Sequence, residues 1–244
     1  YFLYKDEDGN PIAVSEDDLM EDLESGKRQD PHGVEEDLFF ILYTDEGHMM
    51  YARDEYEDDL VGNRSGDRLI GANKKNKIFG NDGNDFIHGK QGDDILIGGS
   101  GSDTILGGDD NDTLLGDEVN HTNGGDDVLF AGGGNDIADG GKGNDLIFGV
   151  SGSNQLFGDY GFDTIIGGVD NDSIYGGKGN DQLAGGEGED VIQGDSGNDL
   201  ISGGDGADLI YGDEGNDTLF GNSGNDVVIG GSPKFYIAMI GTPV

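Results

Sequence analysis

A large apolar residue recurs at nine-residue spacing from Leu69 to Val228, broken by one insert and by one small residue, behind glycine-rich turns that nearly all carry Asp. Residues 62–229 repeat the unit Gly-Gly-x-Gly-x-Asp-x-Φ-x, where Φ is that apolar residue. GGSGSDTIL at 98–106, GGKGNDLIF at 140–148 and GGKGNDQLA at 176–184 are the clearest copies. Eighteen units run in one phase, and only the seventh is split. Six extra residues, 119–124, separate its first three positions from its last six, and the phase resumes at Ala131. An insert of this kind bulges from a turn and spares the strands.

One apolar side chain in nine is too sparse for an amphipathic helix. It suits a three-residue strand whose middle side chain points inward, so that stacked strands build ladders of Ile and Leu. Ala138 is the single small member and is expected to leave the core thin there. The expected architecture is a β-solenoid. Three glycines in each six-residue turn supply positive φ or let backbone approach a ligand closely. Such a bend can turn carbonyl oxygens toward one point, and the sixth-position Asp adds a carboxylate. Several hard oxygen donors describe a calcium site better than one for zinc or iron. Cysteine is absent, and the four histidines have no ligand-like spacing.

Composition narrows the function. Glycine makes up 49 of 244 residues and proline only 4, with no three-residue period, which excludes collagen. The formal net charge is −39, from 52 acidic and 13 basic residues. Such a chain repels nucleic acid and anionic membrane and attracts cations. No stretch approaches 18 apolar residues, so no membrane-spanning helix is expected. Without disulfides, bound metal is the expected staple. The chain opens at Tyr1 with no visible signal peptide and reads as a fragment or a processed product.

These phased units resemble the RTX family, the glycine-aspartate nonapeptide repeats of secreted bacterial toxins, proteases, lipases, epimerases and adhesins. The resemblance implies an all-β fold, a right-handed parallel β-roll with two nonapeptides per coil. It also implies Ca2+ ions between turns stacked on one side, export by the type I secretion machinery, and folding outside the cell. Eighteen units then give about nine coils, a rod roughly 40 Å long at ~4.8 Å per strand.

Carried onto this sequence, the resemblance assigns ligating carboxylates to units two apart. One side uses Asp85, Asp103, Asp127, Asp145, Asp163, Asp181, Asp199 and Asp217. The other uses Asp94, Asp112, Asp136, Asp172, Asp190, Asp208 and Asp226. Carbonyls of Gly83, Gly101, Gly143, Gly179, Gly188, Gly197, Gly206 and Gly215 complete the sites. Departures mark weak places. Asn76 and Asn154 replace the sixth-position Asp, which predicts weaker or empty sites. Lys74, Lys75 and Lys77 crowd the second unit, and Arg64 and Arg68 flank Asp67, so the first coil is expected to be held by packing. Asp110 and Asp170 stand at the fourth position, where they either strain the turn or add a surface carboxylate. A metal-free, ice-binding solenoid would want one outward residue type. Position seven instead runs Thr104, Thr113, Val128, Ile137, Leu146 and Gln155.

Three segments follow: an acidic non-repeat part at 1–61, the repeat roll at 62–231, and a lead-out at 232–244. The first holds 20 acidic and 4 basic residues and is read as a cap or the remnant of a preceding domain. Strands are expected at 1–4, 38–43 and 48–53, with a turn at 44–47 and a helix near 16–25. The lead-out, with Phe235, Tyr236, Ile237 and Ile240, is read as a second cap or a path to a secretion signal. Asp30-Pro31 resembles a self-cleaving bond, although a turn explains it better. No nucleophile-base pair, HExxH or GxSxG sequence is present, so no enzyme is expected in this chain. The expected function is a calcium-folded module of a secreted bacterial protein, extracellular and monomeric. The alternatives are the C-terminal part of a secreted enzyme or toxin whose active domain is missing here, or an adhesin roll binding a glycan or cell-surface ligand.

Overall fold

The computed structural model describes residues 2–5, 11–14, 40–44, 47–52, 59–118, 124–231 and 237–239. Among them there is no helix, and none therefore long and apolar enough to cross a membrane. The repeats form two parallel sheets wound as a β-solenoid of about nine coils. Odd-numbered units feed one sheet, here the first, and even-numbered units feed the second. Every repeat strand pairs in register with the strand two units away: Thr164 faces Gln182 in the first sheet, and Ser173 faces Val191 in the second. The insert leaves this ladder intact, because Thr104 still pairs with Val128 and Thr113 with Ile137.

Most strands are six residues long, not three. Gln182–Glu187 is typical and alternates exposed-buried-intermediate-buried-intermediate-exposed. It combines the last three positions of one unit with the first three of the next. The first two glycines therefore continue the ladder, and the turn shrinks to positions four to six. From sequence all six Gly-Asp positions read as turn, because three glycines suggested positive φ or a close approach of backbone to a ligand. Here parallel hydrogen bonds on both sides draw the first two into strand.

Eighth-position residues point inward and form two ladders. Leu69, Ile87, Ile105, Leu129, Ile147, Ile165, Leu183, Ile201 and Leu219 line one sheet, and all are buried. Ile78, Leu96, Leu114, Ala138, Leu156, Ile174, Ile192 and Ile210 line the other, with Val228 partly buried at its end. Ala138 sits in register between Leu114 and Leu156. The core begins earlier than the glycines do. Met50 pairs opposite Leu69, and Leu60, fully buried, pairs opposite Ile78. Leu60 lies nine residues before Leu69, in phase, within a stretch that lacks the glycines.

Outside the repeats, Phe2–Lys5 and Pro11–Val14 form an antiparallel pair. Phe40–Thr44 and Gly47–Tyr51 form a second, which extends the first sheet through Arg68–Ile70. At the other end Ile237–Met239 adds a parallel strand against Thr218–Phe220. The expected helix near 16–25, Asp30-Pro31, and Phe235, Tyr236 and Ile240 lie outside the described residues.

Candidate metal centre

Each sixth-position Asp ends a turn and begins an inward-facing stretch, which buries its carboxylate. All fifteen expected carboxylate ligands are buried except Asp226, which is partly so. One carboxylate oxygen of each is used inside the protein. Oδ1 accepts the backbone N–H of the sixth residue one coil earlier, as in Asp85 N to Asp103 Oδ1 at 2.7 Å and Asp163 N to Asp181 Oδ1 at 2.9 Å. The insertion does not break the column, since Asp103 N donates to Asp127 Oδ1 at 2.7 Å.

The other oxygen is the notable one. Oδ2 is buried without a hydrogen-bond partner at Asp85, Asp94, Asp103, Asp112, Asp127, Asp136, Asp145, Asp163, Asp172, Asp181, Asp190, Asp199, Asp208 and Asp226. Native interiors rarely leave such groups unsatisfied. The first-position glycine keeps space open beside it. A Cβ on Gly176 would sit 2.7 Å from Asp181 Oδ2 and 2.8 Å from the carbonyl oxygen of Gly194. The same crowding recurs at Gly158, where Asp163 Oδ2 and the Gly176 carbonyl would each lie 2.5 Å away. First-position carbonyls therefore stand beside the orphaned oxygens, which the sequence reading did not anticipate.

The fourth-position glycines have another constraint. Gly143 and Gly179 take φ of +142° and +151°, and their carbonyls face the fourth-position glycine of the next coil. At Gly197 a Cβ would meet the Gly179 carbonyl and, at 2.9 Å, Asp199 Oδ1. First-position carbonyls thus lie near Oδ2 and fourth-position carbonyls near Oδ1. Among the described residues no three His, Asp or Glu side chains converge on one point. A donor set of one carboxylate plus backbone carbonyls is oxygen-only, which fits calcium.

Electrostatics reinforce this. Burial pushes Asp94, Asp103, Asp145 and Asp199 up to about 7, against an ordinary 3.8. It pushes Asp112 and Asp163 to about 8 and Asp127 to about 9. The donated N–H opposes the shift, and carboxylates in neighbouring coils add to it. Without a cation, these groups favour the protonated form.

The departures resolve by geometry. In the first coil the turn satisfies its own side chains. Asn63 donates to Asp67 through both its backbone N, 2.6 Å from Oδ2, and its Nδ2, 3.0 Å from Oδ1. Asn76 Oδ1 accepts from Ala72 N at 2.7 Å. Asn154 commits its Oδ1 to Asp136 N at 3.0 Å and its Nδ2 to the Gly152 carbonyl at 3.0 Å. An amide nitrogen then occupies the place that an Asp would give to a free oxygen. Asp110 and Asp170 combine both expected alternatives. They adopt φ of +77° and +73°, and each carboxylate accepts an N–H from the coil before, from Gly92 at 3.0 Å and Gly152 at 3.2 Å.

A second ladder escaped the sequence reading. At position five, side-chain oxygens accept the N–H of the next coil, as in Asn198 N to Asn180 Oδ1 at 2.7 Å and Asn216 N to Asn198 Oδ1 at 3.0 Å. Its direction is opposite to that of the sixth-position ladder. The signal was present, because Asn fills half of the fifth positions.

The profile of the RTX calcium-binding nonapeptide repeat, four copies long, matches residues 61–96, 88–120, 121–156, 148–183, 157–192, 184–219 and 202–232. The chain belongs to the RTX calcium-binding repeat family. No curated protein matches the sequence. Within this RTX roll, every matched segment contains the turn geometry described above.

Proposed function

We propose that this RTX roll is a calcium-folded module of a secreted bacterial protein, supporting export, extracellular folding and stability. The observation that carries the reading is the column of fourteen orphaned, buried Oδ2 atoms at position six. An unsatisfied buried acceptor costs ~1–3 kcal/mol, and more when charged. Fourteen of them cost on the order of tens of kcal/mol, against a typical total stability of about 5–15 kcal/mol. The ionised roll therefore needs a cation at these oxygens to be the stable state. The ions would be held by Oδ2 of the fifteen carboxylates at Asp85 to Asp226 together with first- and fourth-position carbonyls. Calcium supplies charge neutralisation there and oxygen coordination.

Coupling of fold to ion suits a chain that passes the type I secretion machinery unfolded and meets millimolar calcium outside the cell. The activity of the parent protein then resides outside this roll, as in a secreted enzyme or toxin. Circular dichroism tests the reading. The chain in chelator at neutral pH is expected to lack β structure and to gain it cooperatively with calcium. A β spectrum unchanged by chelator would refute it.

A further inference from the structure

The two outer faces of the roll differ in charge. On the first sheet, from Phe86–Gln91 to Thr218–Ser223, each of eight strands presents residues seven and nine of one unit and residue two of the next. None of these outward positions carries a carboxylate, in a chain of net charge −39; the carboxylates of these strands, Asp109, Glu187 and Asp205, stand at the last residue, on the rim of the face. The second sheet presents Asp139, Asp159 and Asp195 at equivalent positions. The middle of the first face is apolar. Phe130 and Phe148 stack at 4.7 Å, with Val128, Leu146, Val150 and Ile166 around them. Val150 is 49% exposed and Ile166 38% exposed.

We propose that this face is the contact between two copies of the chain, packed sheet on sheet around a two-fold axis. Three arguments select a second copy. A two-fold contact places the same surface on both sides, so a face with more carboxylates than bases would meet itself with like charge left unpaired. For so acidic a chain, that favours a face free of carboxylates at its outward positions, and of the two repeat sheets only the first supplies one over this length. The area suffices: eight strands at ~4.8 Å by five residues at ~3.3 Å give roughly 650 Å² per copy. Two copies bury about 1,300 Å², within the range of specific interfaces. Finally, the stacked rings lie 8° from parallel, so each covers the inner face of the other. They present edges outward, which suits apolar packing and denies a sugar ring a platform to lie on.

The proposal rests on the calcium-folded reading, because the face exists only in the wound roll and bound ions reduce repulsion between copies. The test is sedimentation velocity of the full chain in saturating calcium, from low micromolar to several hundred micromolar, with circular dichroism on the same samples. A concentration-dependent dimer is expected. Phe148→Asp and Ile166→Asp should each weaken it by at least about tenfold. Tyr175→Asp is the matched control, since Tyr175 stacks on Phe157 at 5.0 Å on the other face, and it should leave the dimer intact. Ile166 lies outside the aromatic stack, so its variant keeps the test valid where Phe148→Asp disturbs folding. A folded chain that stays monomeric overturns the dimer alone. So does equal weakening by Tyr175→Asp, or a monomer that floats with phosphatidylcholine vesicles. A chain that remains unfolded in calcium overturns the calcium-folded reading and the dimer with it.

Discussion

Replacing Asn154 by Asp should have opposite effects at low and at high calcium. In the structure Asn154 is buried, and its Nδ2 donates to the Gly152 carbonyl at 3.0 Å while Oδ1 accepts from Asp136 N. Asp keeps the second bond but sets an oxygen against the Gly152 carbonyl. Losing the donor and leaving that oxygen unpaired should cost ~1–3 kcal/mol where calcium is scarce. At saturation, the same oxygen joins the column that runs through Asp136 and Asp172 and completes a site. An added site contributes RT ln(1 + [L]/Kd), or about 2.7 kcal/mol when free calcium is a hundredfold above Kd. The two effects are similar in size and opposite in sign, so the variant crosses from less stable to more stable than wild type. Urea unfolding at calcium just above the folding midpoint and at saturation measures both. Equilibrium dialysis should count one additional ion. A variant less stable at every calcium level, with no added ion, would show that this position does not face a cation.

Other perturbations address separate parts of the argument. In chelator the column carboxylates bear pKa values raised by burial from 3.8 to about 7 at Asp103, 8 at Asp112 and 9 at Asp127. Raised values mean that the metal-free fold is favoured below about pH 4 and loses that stability as pH rises through 7–9. Acidifying the chelated chain from neutral toward pH 4.5 should therefore restore β signal by circular dichroism, and its absence would count against the burial. Gly176→Ala should remove one ion and raise the calcium midpoint, because its Cβ would lie 2.7 Å from Asp181 Oδ2; isothermal titration calorimetry reads the count. Ile165→Ala opens a cavity in a fully buried ladder and should cost ~2–5 kcal/mol in calcium-saturated urea unfolding without changing ion number.

The sequence exposed whatever repeats strictly. The nine-residue phase gave the inward ladder from Leu69 to Val228, and the sixth-position Asp gave the buried column. What escaped it depended on cross-coil geometry. Glycines at positions one and two look like turn residues locally, yet parallel neighbours on both sides draw them into strands such as Gln182–Glu187. Asn154 read as a weaker or empty site, because Asn has a carbonyl oxygen but no charge. Only the stacking shows that this oxygen is already committed to Asp136. Leu60 and Met50 were missed because the glycines that mark the repeat stop before the ladder does.

That last point bears on where calcium dependence begins. Six of the chain's 13 basic residues lie within 62–90, against three carboxylates there, whereas 91–231 holds only Lys142 and Lys178 among its 29 acidic residues. In the first coil, hydrogen bonds inside each turn satisfy Asp67 and Asn76, and Met50 and Leu60 cover the apolar end. From Asp85 onward every sixth-position Asp but Asp217 leaves an oxygen orphaned, and no ammonium group follows Lys90 until Lys142. On the proposed calcium-folded reading, ions would supply to the later coils the positive charge that the first coil owns covalently. A roll built this way would begin on a coil completed by protein atoms and need metal only beyond it. Its basic lead-in and its acidic body are therefore two solutions to the same problem of closing a glycine-aspartate turn.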